Sequence, residues 1–127
     1  MDNVDALREL RDIRQIAGER KRRWFSSPEL DLILWLGDDD APVGFQLCYD
    51  KHRDERALTW REDRGFDHAG VDDGEHTPAQ HKSTPILVAD GHFDRDRVKT
   101  RFLESSANVP QPIRAFVARI LDRYPNV

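Results

Sequence analysis

Between Leu30 and Arg61 the chain reads LDLILWLGDDDAPVGFQLCYDKHRDERALTWR, and apolar and polar positions alternate through three short runs. Leu30, Leu32, Leu34 and Leu36 alternate with Asp31, Ile33 and Trp35. Val43, Phe45, Leu47 and Tyr49 alternate with Gly44, Gln46, Cys48 and Asp50. The third run, Arg56 to Arg61, sets Leu58 and Trp60 against Ala57, Thr59 and Arg61. Successive side chains of a strand point to opposite faces, so a period of two marks strands with one face on a core. The connections Gly37–Pro42 and Lys51–Asp54 have turn composition and hairpin length. The pattern predicts a three-stranded antiparallel meander.

Register follows from making the apolar faces coincide, because a one-residue slip flips a whole strand. Leu36 then sits opposite Val43, Leu34 opposite Phe45 and Leu32 opposite Leu47, while Leu47 faces Leu58 and Phe45 faces Trp60. The other face acquires the rows Asp31–Cys48–Ala57, Ile33–Gln46–Thr59 and Trp35–Gly44–Arg61. Gly44 leaves room for the Trp35 indole to lie flat. Arg61 comes close enough to stack on it, a contact worth ~1 kcal/mol at a partly exposed site. Trp35, Gln46, Thr59 and Arg61 are therefore candidate ligand-binding residues. The competing reading is an ordinary exposed face with one aromatic covered by a loop.

On either side of the meander the period changes. Val4, Leu7, Leu10, Ile13 and Ala17 recur at three- and four-residue steps, which predicts a helix over Asn3–Ala17 stopped by Gly18. Trp24 and Phe25 start a short edge strand or plug the core. Residues 62–84 have no clean period and read as a long connection over the sheet's other face or along its edge, pinned by Phe66 and Val71. Pro85–Ala89 reads as an edge strand. Asp94 caps a following helix with Val98, Phe102 and Leu103 on its inner side, and Phe93 staples it at Val98. Pro112 opens a last helix with the stripe Ile113, Phe116, Val117, Ile120, Leu121 and Tyr124. The expected fold is α+β in a single domain, 1–127. It has an antiparallel sheet of four to five strands, with one N-terminal and two C-terminal helices packed on one face.

Composition adds limits. At 127 residues, 38% hydrophobic and 35% charged, the chain is long enough for a core without metal or disulfide staples. A net charge of -4 argues against a dedicated nucleic-acid binder. A single cysteine excludes an internal disulfide, and no signal peptide or long apolar run is evident. The expectation is a cytoplasmic protein without a membrane partner.

Candidate chemistry is sparse. His68, His76, His81 and His92 cluster with Asp67, Asp72, Asp73, Glu75 and Asp90, a composition used by divalent transition-metal sites and by acid–base catalysts. A metal set of His68, Asp72, His76 and His81 is the alternative to having no cofactor, although the spacing matches no established metal signature. Cys48 is a nucleophile only if a histidine reaches it, and Asp31 opposite it would raise the thiol pKa. Arg8, Arg11, Arg14, Arg20, Lys21, Arg22 and Arg23 form one basic region, interspersed with Glu9, Asp12 and Glu19. No phosphate loop, nucleophile elbow or paired-cysteine knuckle is present.

The phrases RRWFSS (22–27), GFQLCYDK (44–51), RALTWR (56–61) and HKSTPILV (81–88) resemble a family of small bacterial proteins of unknown function. The resemblance implies a bacterial cytoplasmic origin and carries no activity or site residue. The leading functional reading is a non-enzymatic binding or accessory module, holding a small ligand or protein partner on one sheet face. The alternatives are a metal-dependent hydrolase or lyase built on segment 67–92, and a nucleic-acid-associated regulator built on the basic N-terminal helix.

Overall fold

A computed structural model describes residues 5–72, 86–89 and 93–125. Among these residues seven strands form one antiparallel sheet in chain order: β1 (Arg8–Leu10), β2 (Arg22–Ser26), β3 (Asp31–Leu36), β4 (Pro42–Tyr49), β5 (Arg56–Arg61), β6 (Gly65–Asp72) and β7 (Ile86–Ala89). Two helices follow, α1 (Arg95–Ser105) and α2 (Gln111–Asp122). The fold is α+β, and the antiparallel sheet is larger than the alternation alone predicts.

The central register agrees with the facing rule. Leu32 pairs with Leu47, Leu34 with Phe45, Leu47 with Leu58 and Phe45 with Trp60. Their common face meets both helices, and Leu32, Leu34, Phe45, Leu47, Leu58, Phe102, Val117 and Leu121 are all fully buried. Phe116 of α2 lies edge-on to both Phe45 and Trp60. Burying such side chains contributes roughly 1.5–3 kcal/mol each, which is why the clean stripe of α2 seats on β4. Asp94 caps α1 by accepting a hydrogen bond from the Arg97 amide.

One predicted pair is displaced. Leu36 pairs with Pro42 rather than Val43, across a bulge that follows Trp35. Pro42 has no N–H to give the ladder, and a bulge is where a strand tolerates it. Val43 becomes the extra residue.

The predicted N-terminal helix is overturned. Residues 8–10 form a strand paired with Trp24–Ser26, so β2 is an interior strand and Phe25 a core residue. Of the supposed stripe only Leu7 is buried among the described positions, while Leu10 is 43% exposed. The physical reason lies at Arg22, whose backbone N–H donates to Gln15 Oε1 while its C=O accepts from Gln15 Nε2, both at 2.9 Å. The Gln15 amide thus takes the place of a further strand residue beside Arg22. It holds 11–21 in an extended loop that turns at Gly18 (φ 84).

The irregular segment is corrected as well. Its first part is β6, joined to β5 by a three-residue turn ending at Gly65, whose φ of 81 suits glycine. Ile86–Ala89 pairs with β6 as the edge strand β7. Among the described residues, no helix is long and apolar enough to cross a membrane.

Candidate functional site

The face turned away from the helices carries three cross-sheet rows. Arg22, Trp35, Gly44, Arg61 and Gly65 form one; Leu10, Trp24, Ile33, Gln46, Thr59 and Asp67 form the next; Arg8, Ser26, Asp31, Cys48, Ala57 and Ala69 form the third. Each row predicted for β3, β4 and β5 is present.

In the first row Arg61 has glycine on both neighbouring strands. Trp35 is two strands away, ~10 Å by backbone spacing, and nothing stands between them over Gly44. The guanidinium carbon of Arg61 sits 4.2 Å from the centre of the Trp35 ring. Gly44 is required for this. A Cβ there would lie 2.8 Å from the Trp60 carbonyl oxygen and 3.3 Å from the Trp35 ring.

This pair floors an open cleft of about 270 Å3 lined by Glu19, Arg20, Trp35, Val43, Gly44, Arg61, Glu62 and Asp63. Three local structures assemble it. The Gln15–Arg22 pairing and the Gly18 turn bring Glu19 and Arg20 to one rim. The bulge frees Val43 from the inner row. The β5–β6 turn supplies Glu62 and Asp63, anchored where the Glu62 amide donates to the Val43 carbonyl.

Sequence reasoning named Trp35 and Arg61 but missed the rim. The signal for Glu62 and Asp63 was available, since a three-residue polar turn ending in glycine directly follows Arg61. Gln46 and Thr59 share the sheet face but lie outside the cleft lining. Gln46 Nε2 donates to Thr59 Oγ1 at 3.1 Å, so the two are engaged with each other.

The third row is a polar clamp around a buried thiol. Lys51 Nζ donates to Asp31 Oδ1 at 2.9 Å and to the Ser27 carbonyl at 2.8 Å, while Ser26 Oγ donates to the same Asp31 oxygen. Cys48 is buried beside it, and its pKa is pushed up to about 12. Burial is the main cause, with the negative charges of Glu55 and Asp31 adding to it and Lys51 opposing. A thiol held neutral is a poor nucleophile.

His68 faces the helices, opposite Leu58. Its Nε2 meets the Tyr49 hydroxyl at 2.5 Å, and Phe93 packs edge-on against it. His76, His81 and the side chain of Asp72 lie outside the described residues, as does His92. Among the described residues no group of three or more His, Cys, Asp or Glu could hold a metal.

The basic region is divided. Arg23 makes a two-pronged pair with Glu9 at 2.7 and 2.8 Å, and Arg22 donates to the Arg14 carbonyl. Arg8, Arg11 and Arg14 are exposed or rim residues on a loop and a short strand, not one helix face. No family model, curated protein or solved structure matches the chain.

Proposed function

We propose that the protein is a non-enzymatic binding module that holds a small ligand or a partner segment in the cleft floored by Trp35 and Arg61. The observation that carries this reading is the guanidinium lying 4.2 Å above a half-buried indole at the base of a concave, mixed-charge surface. An aromatic floor with a few convergent polar groups is the usual composition of a ligand site. The volume, about 270 Å3, suits a small molecule or one or two side chains of a partner. The neutral Cys48 thiol and the enclosed Tyr49–His68 pair favour binding over catalysis, since both nucleophile and base candidates are engaged in packing.

The test is a small-molecule and peptide screen read by thermal shift and by Trp35 indole resonances, run on wild type, Trp35→Ala and Arg61→Ala. Ligands found for the wild type lose affinity in Trp35→Ala and bind with altered affinity in Arg61→Ala, while both variants remain folded. Ligands retained at equal affinity by both would place the site elsewhere.

A further inference from the structure

Resting on that reading of the cleft, we infer that its ligand is a flat organic cation of the guanidinium class, and that Arg61 occupies the indole as a displaceable stand-in for it. Trp35 presents its electron-rich face to a guanidinium already, at 4.2 Å, so the geometry of cation recognition is built. The resident group is loosely held. Arg61 is exposed, and among the described residues its side chain forms no ion pair or hydrogen bond besides the ring contact.

The rim shows what a guest would gain. Glu19, Glu62 and Asp63 line the cleft, and among the described residues none of their carboxylates is in an ion pair or side-chain hydrogen bond. Carboxylates therefore outnumber the cleft's two guanidiniums, Arg20 and Arg61, and one of those two is docked on the ring. A guest guanidinium that displaces Arg61 keeps the stacking contact and adds charge-assisted, forked hydrogen bonds to Glu62 and Asp63, for which its planar donor geometry is suited. The displaced Arg61 swings to solvent at little cost, because glycines flank it on both neighbouring strands. An anionic guest would meet three carboxylates and leave Trp35 covered.

The experiment titrates N-acetyl-arginine amide, N-acetyl-glutamate amide and N-acetyl-tyrosine amide into the whole protein, following the Trp35 indole resonance. The arginine derivative should bind saturably, and the other two should not at the same concentrations. Arg61→Ala should tighten arginine binding about two- to fivefold by removing the competitor. Glu62→Gln with Asp63→Asn should weaken it and reduce its salt dependence. Trp35→Phe, which keeps a ring in place if Trp35→Ala unfolds, should give an intermediate loss.

Tighter binding of arginine within a short peptide than of the capped residue would identify a partner segment as the source, and the reverse a free small molecule. Preferential binding of the glutamate or tyrosine derivative, or weaker arginine binding in Arg61→Ala, would overturn the cationic guest while leaving the cleft as a site. Screening ligands that ignore Trp35 altogether would remove both.

Discussion

The hydroxyl of Tyr49 and Nε2 of His68 meet at 2.5 Å inside the core, their rings nearly parallel with 6° between planes. Tyr49 comes from β4 and His68 from β6, so the bond spans β5, and Phe93 closes on both rings. An imidazole on the core face needs such a partner, because a buried polar group without one costs about 1–3 kcal/mol. Tyr49→Phe is expected to lower unfolding free energy by about 1 kcal/mol, measured by urea denaturation, and to leave the Trp35 cleft unchanged. A stability equal to wild type would mean that the hydroxyl contributes nothing to the core.

Gly44 sets the second prediction. Gly44→Ala drives a methyl to 2.8 Å from the Trp60 carbonyl oxygen, which is backbone and cannot rotate away. The expected cost is about 1–3 kcal/mol, the range for forcing atoms into a packed site. The same methyl lifts the indole from under Arg61, so the Trp35 resonance should shift as well. An unperturbed, fully stable Gly44→Ala protein would contradict the flat seating of the ring.

Cys48 gives a pH dependence with a definite sign. Its thiol has an ordinary value near 9.0 and a folded value of about 12, so between them the unfolded chain releases a proton that the folded chain keeps. The unfolded state binds fewer protons there, and stability falls as pH rises from about 9 towards 12. The slope from this one group approaches about 1.4 kcal/mol per pH unit. Below pH 9 it contributes no dependence. Cys48→Ala should flatten that alkaline decline when the two proteins are compared by denaturation at pH 8, 9 and 10. A thiol-reactive disulfide reagent should modify the native wild type no faster than it opens.

At the acid end the Glu9–Arg23 pair acts in the opposite sense. The side-chain hydrogen bond from Arg23 holds the Glu9 carboxyl below its usual value of 4.5, against a smaller opposing effect of burial. A lowered folded pKa means that the pair's support is complete above 4.5 and is lost as pH falls below it. With only three residues, β1 depends on this tether. Amide exchange in residues 8–10 should accelerate as pH falls through that range, after correction for intrinsic rates. Glu9→Gln should show the faster exchange already at neutral pH, with the central strands unaffected.

The alternation of Leu30–Arg61 made the meander legible because each strand there has a buried face and a wetter one. Facing the apolar sides of these strands fixes all the inner pairs but Leu36–Val43, and through them the outer rows and the meeting of Trp35 and Arg61. The N-terminal segment misled because Val4, Leu7, Leu10, Ile13 and Ala17 satisfy a helical period by spacing alone. A three-residue strand is too short to show a period of two, and in the loop after it the Gln15 side chain pairs with the Arg22 backbone rather than packing. In β6 the inward positions are Phe66 and His68, and a histidine counted as polar erased the alternation. The bulge at Val43 was hidden by the same assumption that made the register readable, a uniform two-residue step. The rim of the cleft stayed out of view because Glu19, Arg20, Glu62 and Asp63 lie on turns, whose placement depends on hairpin geometry and not on hydropathy.

Seven strands in chain order also bear on how the molecule is made. Every ladder joins strands consecutive along the polypeptide, so each new strand closes only the connection before it, and closure entropy grows slowly with loop length. Such local topology favours rapid folding. The tightest turns join β5 to β6 and β2 to β3, with three and four residues, and neighbouring strands can zip on from those hairpins. The helices follow the strands in sequence and seal one face of a sheet whose rows include the glycine gap that Arg61 crosses.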